Sequence, residues 1–212
     1  PDYETKSSYT ATVTANDGTV SITQDLTVNI ADINEAPSFS SSASFSAEEN
    51  QTAIGSVSVS DQEGESITYS LSGTDAGSLA ISSSGVVSFS SAPNYESKNS
   101  YSANVNAGDG TNTTTQEITI SVTDVNDAPV ASAAGYILNL LPQAQSGGNI
   151  TLAGTDEDGD TLTYSIVSNG SYGSASLSGS TITYQTSAGT QSAQSESFTF
   201  KVNDETVDSS AA

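Results

Sequence analysis

The sequence predicts an all-β chain of tandem β-sandwich modules, and three observations carry that expectation. The chain repeats itself, its apolar residues alternate with a period of two, and its acids gather at turns and at the joints between repeats. Residues 1–37 align without a gap with residues 93–129, and 19 of those 37 positions are identical. Chance does not produce such agreement. The repeat is therefore about 92 residues long, the size of a small β-sandwich.

The strands follow in chain order. In SYTATVTA, Tyr9, Ala11, Val13 and Ala15 fall on one face, and the copy SYSANVNA repeats this with Tyr101, Ala103, Val105 and Ala107. SVSVS (56–60), SITYSL (66–71) and GVVSFS (85–90) alternate in the same way. QDLTVNI and its copy QEITISV close the repeat with a final strand. Further strands are expected in NITLAG, DTLTYSIV, GSASLSG, STITYQT and ESFTFKV. No stretch of ten or more residues spaces its apolar positions for a helix face. GYILNLLP (135–142) is read as a strand and a turn ending at Pro142. DEDGDTLTYSI (156–166) parallels DQEGESITYSL (61–71), which makes the third unit a diverged cousin of the second. The expected organisation is the carboxyl-terminal part of a truncated module (1–36), a complete module (37–128) and a diverged module (129–212) short of its last strand.

Composition excludes several functions. The 212 residues carry 25 Asp and Glu against 3 Lys, a formal charge of −22. Nucleic acid needs a basic face, so it is excluded as a partner, and an anionic membrane surface is disfavoured. No run of 18 apolar residues suggests membrane insertion. Cysteine and histidine are absent, which removes thiol nucleophiles, imidazole acid–base catalysis and His/Cys metal sites. No enzyme activity is expected. No signal peptide opens the chain, and its start in mid-pattern reads as a fragment.

The hexapeptide DINEAP (32–37) recurs as DVNDAP (124–129), and the acids cluster around both. The candidates at the first joint are Asp2, Glu4, Asp32, Asn34 and Glu35, with Asp61, Glu63 and Asp109 from the next module. Those at the second are Glu49, Asn94, Glu96, Asp124, Asn126, Asp127, Asp156, Asp158 and Asp204. A hard cation explains the grouping, because calcium takes 6–8 oxygen ligands from carboxylates, amide side chains and backbone carbonyls. In an extended segment Asp32 and Asn34 point one way and Glu35 the other. The carbonyl of Ile33, and by the repeat that of Val125, is a further ligand candidate. Proline then ends any ladder and stiffens the exit. An EF-hand fails, because Thr161 and Val167 stand where its Gly and Glu should be when counting from Asp156.

The motifs AEEN (47–50), DQE (61–63), PNYE (93–96), AGDG (107–110) and DVND (124–127) together resemble the cadherin repeat of large bacterial surface adhesins. The third unit is similar more loosely, to cadherin-like or Ig-like repeats, through DED (156–158) and VND (202–204). The resemblance implies seven-stranded Greek-key sandwiches with Ca2+ between successive modules. It implies that the residues just named, Glu49 to Asp204, form the second joint, and that Asp17 faces a further joint. Asn94 departs from the acid seen as Asp2, and Gln62–Glu63 from the usual two-aspartate motif, which leaves the ion count open.

The function expected from this is an extracellular, cell-surface adhesin extender, rigidified by calcium and supporting adhesion. A calcium-dependent module binding carbohydrate or another cell-surface protein is the alternative, as is a filament subunit completed by strand exchange. Tyr136 and Tyr172 are the exposed aromatic candidates, whereas Tyr9, Tyr69, Tyr101 and Tyr164 are expected in cores. The sequons at Asn50, Asn112, Asn149 and Asn169 read as chance in a Thr-rich chain.

Overall fold

The computed structural model describes residues 1–133, 147–187 and 197–212. GYILNLLP and Tyr136 lie outside the described residues. The chain divides into two compact units, Pro1–Asp124 and Val125–Ala212. Among the described residues every regular element is a strand, apart from one 3-10 turn at Ala76–Ser78.

Unit 1 opens with the hairpin β1 (Ser8–Asn16) and β2 (Ser21–Asn29). Its register pairs Tyr9 with Val28, Ala11 with Leu26 and Val13 with Gln24. The rest of the unit is a two-layer sandwich. One layer orders β4 (Ser44–Glu48), β11 (Thr113–Thr123), β10 (Ser100–Gly108) and β7 (Thr68–Ser72) side by side. The other contains β5 (Ala53–Ser56), β9 (Val86–Phe89) and β8 (Leu79–Ile81), with β3 (Ser38–Phe39) paired to β6 (Val59–Ser60). The pairing of β4 with β11 is parallel, and the other pairings are antiparallel. Between the layers Val57, Val87, Phe89, Val105, Ile118 and Ile120 are buried in one cluster, which supplies most of the burial energy. Gly85 is required where it stands: its φ is +79°, and a Cβ there would lie 2.7 Å from the Val57 carbonyl oxygen.

Unit 2 repeats the plan. Its strands are β12 (Val130–Ser132), β13 (Gly147–Thr151), β14 (Ala153–Thr155), β15 (Thr163–Ser168), β16 (Gly173–Ser178), β17 (Thr181–Thr186) and β18 (Thr199–Asn203). β12 pairs with β14 as β3 pairs with β6, and β15 pairs with β18 as β7 pairs with β10. Ile150, Leu152, Ile182, Phe200 and Val202 form its core. Residues 208–212 run back along β18, with Ser209 N donating to the Val202 carbonyl and Phe200 and Ala212 exchanging backbone hydrogen bonds.

Three loops share one turn. Asp17, Asp109 and Asp204 each accept two backbone N–H groups, from the residues two and three positions on, through Oδ1. The turn then needs a left-handed residue, supplied by Gly18 (φ 95°) and Gly110 (φ 102°), but in unit 2 by Glu205 (φ 81°).

One expectation from alternation fails. Tyr9 is 40% exposed rather than in a core, although its counterpart Tyr101 packs on the cluster of unit 1. The alternation is correct, but among the described residues no second layer covers β1 and β2, so the inward-type face is exposed.

Three stability outcomes follow. Ile118→Ala removes a wholly buried side chain and is expected to cost about 2–5 kcal/mol, while Leu26→Ala at the equivalent but 51% exposed position stays within about 0.5 kcal/mol. Urea denaturation followed by tyrosine fluorescence checks both. Glu205→Gly relieves a left-handed conformation and is expected to stabilise unit 2 by about 1 kcal/mol. A lower denaturation midpoint in that variant would contradict the assignment of strain.

Candidate metal centres

The linker after β2 is not a strand, so its side chains answer to the module they meet rather than to alternation. Asn34 Nδ2 donates to Asp109 Oδ2 at 3.0 Å and to the Glu35 carbonyl at 2.9 Å. Asn112 Nδ2 returns a bond to the Asn34 carbonyl at 3.2 Å. Glu35 N donates to Glu63 Oε2, and Asp61 Oδ1 accepts the N–H groups of Glu63 and Glu65. Pro37 is fully buried at the entry to the next module, where its lack of an N–H costs nothing.

This scaffold gathers like charges. Carboxylate oxygens of Glu4, Asp32 and Glu63 lie within 4.8 Å of one another, and so do those of Asp61, Glu65 and Asp109. Asp2 stands beside them, since Gln62 Nε2 donates to both Asp2 Oδ1 and Glu4 Oε2. Ile33 turns its side chain to solvent, as a residue offering only its carbonyl can. Glu35, which strand alternation would point away, meets Glu63. A hydrogen bond with the Glu63 side chain, then desolvation and the charges of Glu63, Glu4 and Asp2, raise the Glu35 carboxyl to about 7. Asp109 is held below the usual carboxylate range, chiefly by the Asn112 backbone N–H and also by Asn34.

Unit 2 carries the same construction on DVND. Asn126 Nδ2 donates to Asp204 Oδ2 at 2.9 Å and to the Asp127 carbonyl at 3.1 Å. Asp127 N donates to Asp158 Oδ2 at 2.7 Å, and Asp160 N to Asp156 Oδ1 at 3.1 Å. Asp156, Asp158 and Asp160 hold oxygens within 4.8 Å of one another. The Asn126 side chain, followed by the Val207 N–H, lowers the Asp204 carboxyl.

At the other end of unit 1, Glu49 is buried and accepts the Tyr95 N–H at 2.7 Å. Its carboxylate lies within 4.8 Å of those of Glu96 and Asp124. Asn94 Oδ1 accepts the Ser97 N–H and so shapes the turn that presents Glu96. The residues expected at the second joint thus divide between the units: Glu49, Asn94, Glu96 and Asp124 in unit 1, and Val125, Asn126, Asp127, Asp156, Asp158 and Asp204 in unit 2.

Two acids escaped the reading of the sequence. Glu65 and Asp160 occupy the fifth position of DQEGE and DEDGD. Desolvation first, then Asp109, Asp61 and Glu63, raises the Glu65 carboxyl; desolvation, then Asp156, Asp158 and Asp204, raises that of Asp160. The signal was present, because both copies keep an acid there.

Whether these groups fit a cation is tested by their unpaired atoms. Asp61 Oδ2, Glu63 Oε1, Asp156 Oδ2 and Asp158 Oδ1 are buried and accept no hydrogen bond. An ionised oxygen in that state is costly unless a positive charge meets it. The clusters are built from carboxylate oxygens, with no nitrogen or sulfur donor, which suits calcium and magnesium.

The profile of the bacterial Ig domain family matches residues 34–121 and again 126–212. Among solved structures, the chain is similar to the protocadherin gammaB7 EC3-6 cis-dimer structure, at 22% identity over 100% of this chain with a TM-score of 0.62. It spans 59% of that protocadherin chain. Mouse protocadherin-24 EC1-3 matches at 20% identity and TM-score 0.59, covering 100% of this chain and 79% of its own. Mouse cadherin-23 EC22-24 matches at 24% identity and TM-score 0.53, covering 96% and 71%. At such identities the likeness establishes the fold and not the function. No curated protein sequence matches.

The raised Glu35 carboxyl sets a pH dependence with a defined sign. In the metal-free protein the folded state keeps this proton from its ordinary range, near 4.5, up to about 7. Its contribution to metal-free stability therefore falls as pH rises through that window and is flat above it. A cation must displace the same proton, so its affinity for the first cluster is expected to rise from pH 5 to about 7 and then level. Glu35→Gln is expected to flatten that slope. Calorimetric calcium titrations at three pH values measure it, and an unchanged slope in the variant would count against Glu35 as the group.

Proposed function

From the premise that the chain belongs to the bacterial Ig domain family, we propose that it is a structural extender segment of a secreted or cell-surface adhesin, stiffened by calcium held at the joints between its modules. The observation that supports this reading is a duplicated scaffold around buried carboxylate oxygens that lack donors: Asp61 and Glu63 in one copy, Asp156 and Asp158 in the other. Such oxygens are what a divalent cation would complete. Calcium fits better than magnesium, because magnesium keeps its waters and calcium accepts a flexible set of protein oxygens.

The residues that would hold it in the first joint are Asp2, Glu4, Asp32, Asn34 and Glu35 with Asp61, Glu63, Glu65 and Asp109. In unit 2 the same role falls to Asn126, Asp127, Asp156, Asp158, Asp160 and Asp204. At the end of unit 1 it falls to Glu49, Glu96 and Asp124. The chain's own contribution is to bring these groups together before the ion arrives. Asn34 and Asn126 fasten the linker to the late aspartate of the module, and the backbone N–H groups of Glu35 and Asp127 orient the DxE and DxD acids.

The mechanical consequence follows from charge. Without a cation, the acids at a joint repel and favour a loose connection. With calcium, repulsion becomes shared attraction, and a linear array depends on its joints as much as on its cores. Extracellular modules bind calcium at roughly 10⁻⁴–10⁻³ M, so such a segment stiffens outside the cell and loosens where calcium is scarce.

Small-angle scattering in calcium and then in EGTA tests this. The maximum dimension is expected to be longer and better defined with calcium, and Asp61→Asn combined with Glu63→Gln to lose the effect at the first joint. Identical curves in the two buffers would sink the proposal.

A further inference from the structure

An asparagine can lose its side-chain amide when the backbone nitrogen of the next residue reaches its Cγ, and glycine in that next place leaves the approach unhindered. Asn169–Gly170 is the one Asn–Gly pair in the sequence. It lies in the connection between β15 and β16, outside any strand, with Asn169 exposed. Among the described residues, neither the Asn169 side chain nor the Gly170 N–H makes a hydrogen bond.

Other asparagines in turns and linkers are held. Asn16 Oδ1 accepts the Gly18 N–H at 2.6 Å, and Asn94 Oδ1 accepts the Ser97 N–H at 2.7 Å. Asn203 Oδ1 accepts the Glu205 N–H at 2.8 Å while its Nδ2 donates to Asp208. Asn34 and Asn126 are fixed by their bonds to Asp109 and Asp204. None of these precedes glycine, and turning any of them onto its own following nitrogen would break those bonds. The Asp–Gly pairs present a poorer electrophile, an ionised carboxylate. In Asp17, Asp109 and Asp158 that carboxylate also accepts backbone N–H groups.

The connection is tied at its ends and not in its middle. Ser168 Oγ lies 2.8 Å from Thr199 Oγ1 and accepts the Thr199 N–H at 3.0 Å. On the far side the Ser187 N–H donates to the Tyr172 carbonyl at 2.8 Å. Asn169, Gly170 and Ser171 span these two anchors, and no ladder bond opposes the bend that brings the Gly170 nitrogen onto Cγ.

We propose that Asn169 is a site of spontaneous covalent modification, at which the chain converts its own side chain to aspartate and isoaspartate. The Gly170 nitrogen gives its proton to hydroxide and bonds to Asn169 Cγ. The Cγ–Nδ2 bond breaks, and the departing nitrogen takes a proton from water and leaves as ammonia. Water then opens the cyclic imide at either carbonyl. One opening yields aspartate. The other routes the backbone through Cβ and Cγ as isoaspartate and adds a methylene to the main chain between the two anchors. Either product adds a negative charge to unit 2 and removes the acceptor amide of the Asn169–Gly170–Ser171 sequon. No metal enters the reaction, so it stands apart from the proposed calcium-held joints.

The test incubates the full chain at neutral and at mildly alkaline pH. Peptide mapping with electron-transfer fragmentation separates aspartate from isoaspartate, and an isoaspartyl methyltransferase gives an independent readout. The amide of Asn169 is expected to be lost before that of any other asparagine, faster at the higher pH, with isoaspartate the larger product. Gly170→Ala is expected to suppress that loss without changing the circular dichroism spectrum; Gly170 has no positive φ, so alanine is admitted there. The parent chain in urea gives the rate of the unfolded sequence and needs no variant. An Asn169 that stays intact in the folded chain while deamidating in urea overturns the proposal, because the loop then holds the residue. So does earlier loss at another asparagine, such as the exposed Asn99, or unchanged loss in Gly170→Ala.

Discussion

Unbalanced negative charge is the constraint on which this structure turns. With 25 acids and 3 lysines, most carboxylates have no cation of the chain's own to meet. The fold deals with them by local hydrogen bonding. Asp17, Asp109 and Asp204 are each wrapped by two backbone N–H groups; backbone donors chiefly hold Asp17 and Asp109 below the usual range, and the Asn126 side chain followed by the Val207 N–H does so for Asp204. Near Asp109 and Asp204, desolvation and then neighbouring acids raise the carboxyls of Glu65 and Asp160, and a hydrogen bond with the Glu63 side chain chiefly raises that of Glu35 to about 7.

The amide of the DxN motif explains why asparagine stands between acids. Asn34 and Asn126 each donate one hydrogen bond to a carboxylate and one to the carbonyl of the following residue. An aspartate in that place would add charge and lose both donors. The two copies tolerate exchange of Glu63 for Asp158 and of Glu65 for Asp160, because both chemistries present the same carboxylate. Asn112 has no such equivalent: Val207, whose side chain has no donor, takes its place, so that position cannot bond the linker carbonyl through a side chain in unit 2.

Each module has a small apolar core, so the connections between modules weigh heavily in what the array does. The covered strands of unit 1 and the uncovered hairpin before them show the same sequence pattern in two circumstances. Where a second layer is present the alternating residues are fully buried; where it is not they stand in solvent.

Much was legible in the sequence. Period-2 alternation placed the strands that end up in β1, β2, β7, β9, β10 and β11, and the repeat located the acids of both DxNxAP linkers. The strands β3 and β8, of two and three residues, were not legible, since they are too short to show a period. The parallel pairing of β4 with β11 was equally hidden, because it joins residues some 75 positions apart. Glu65 and Asp160 were overlooked because only the folded loop turns the fifth residue back onto the first. The sequence by itself determined the period, the strand faces and the inventory of acids, for these depend on local geometry and composition. Only the tertiary structure decided which acids share a cluster, which oxygens are buried without a donor, and that Tyr9 lies open where Tyr101 is covered. Each of those depends on what the rest of the chain brings near, and proximity across a sandwich is not written in any local pattern.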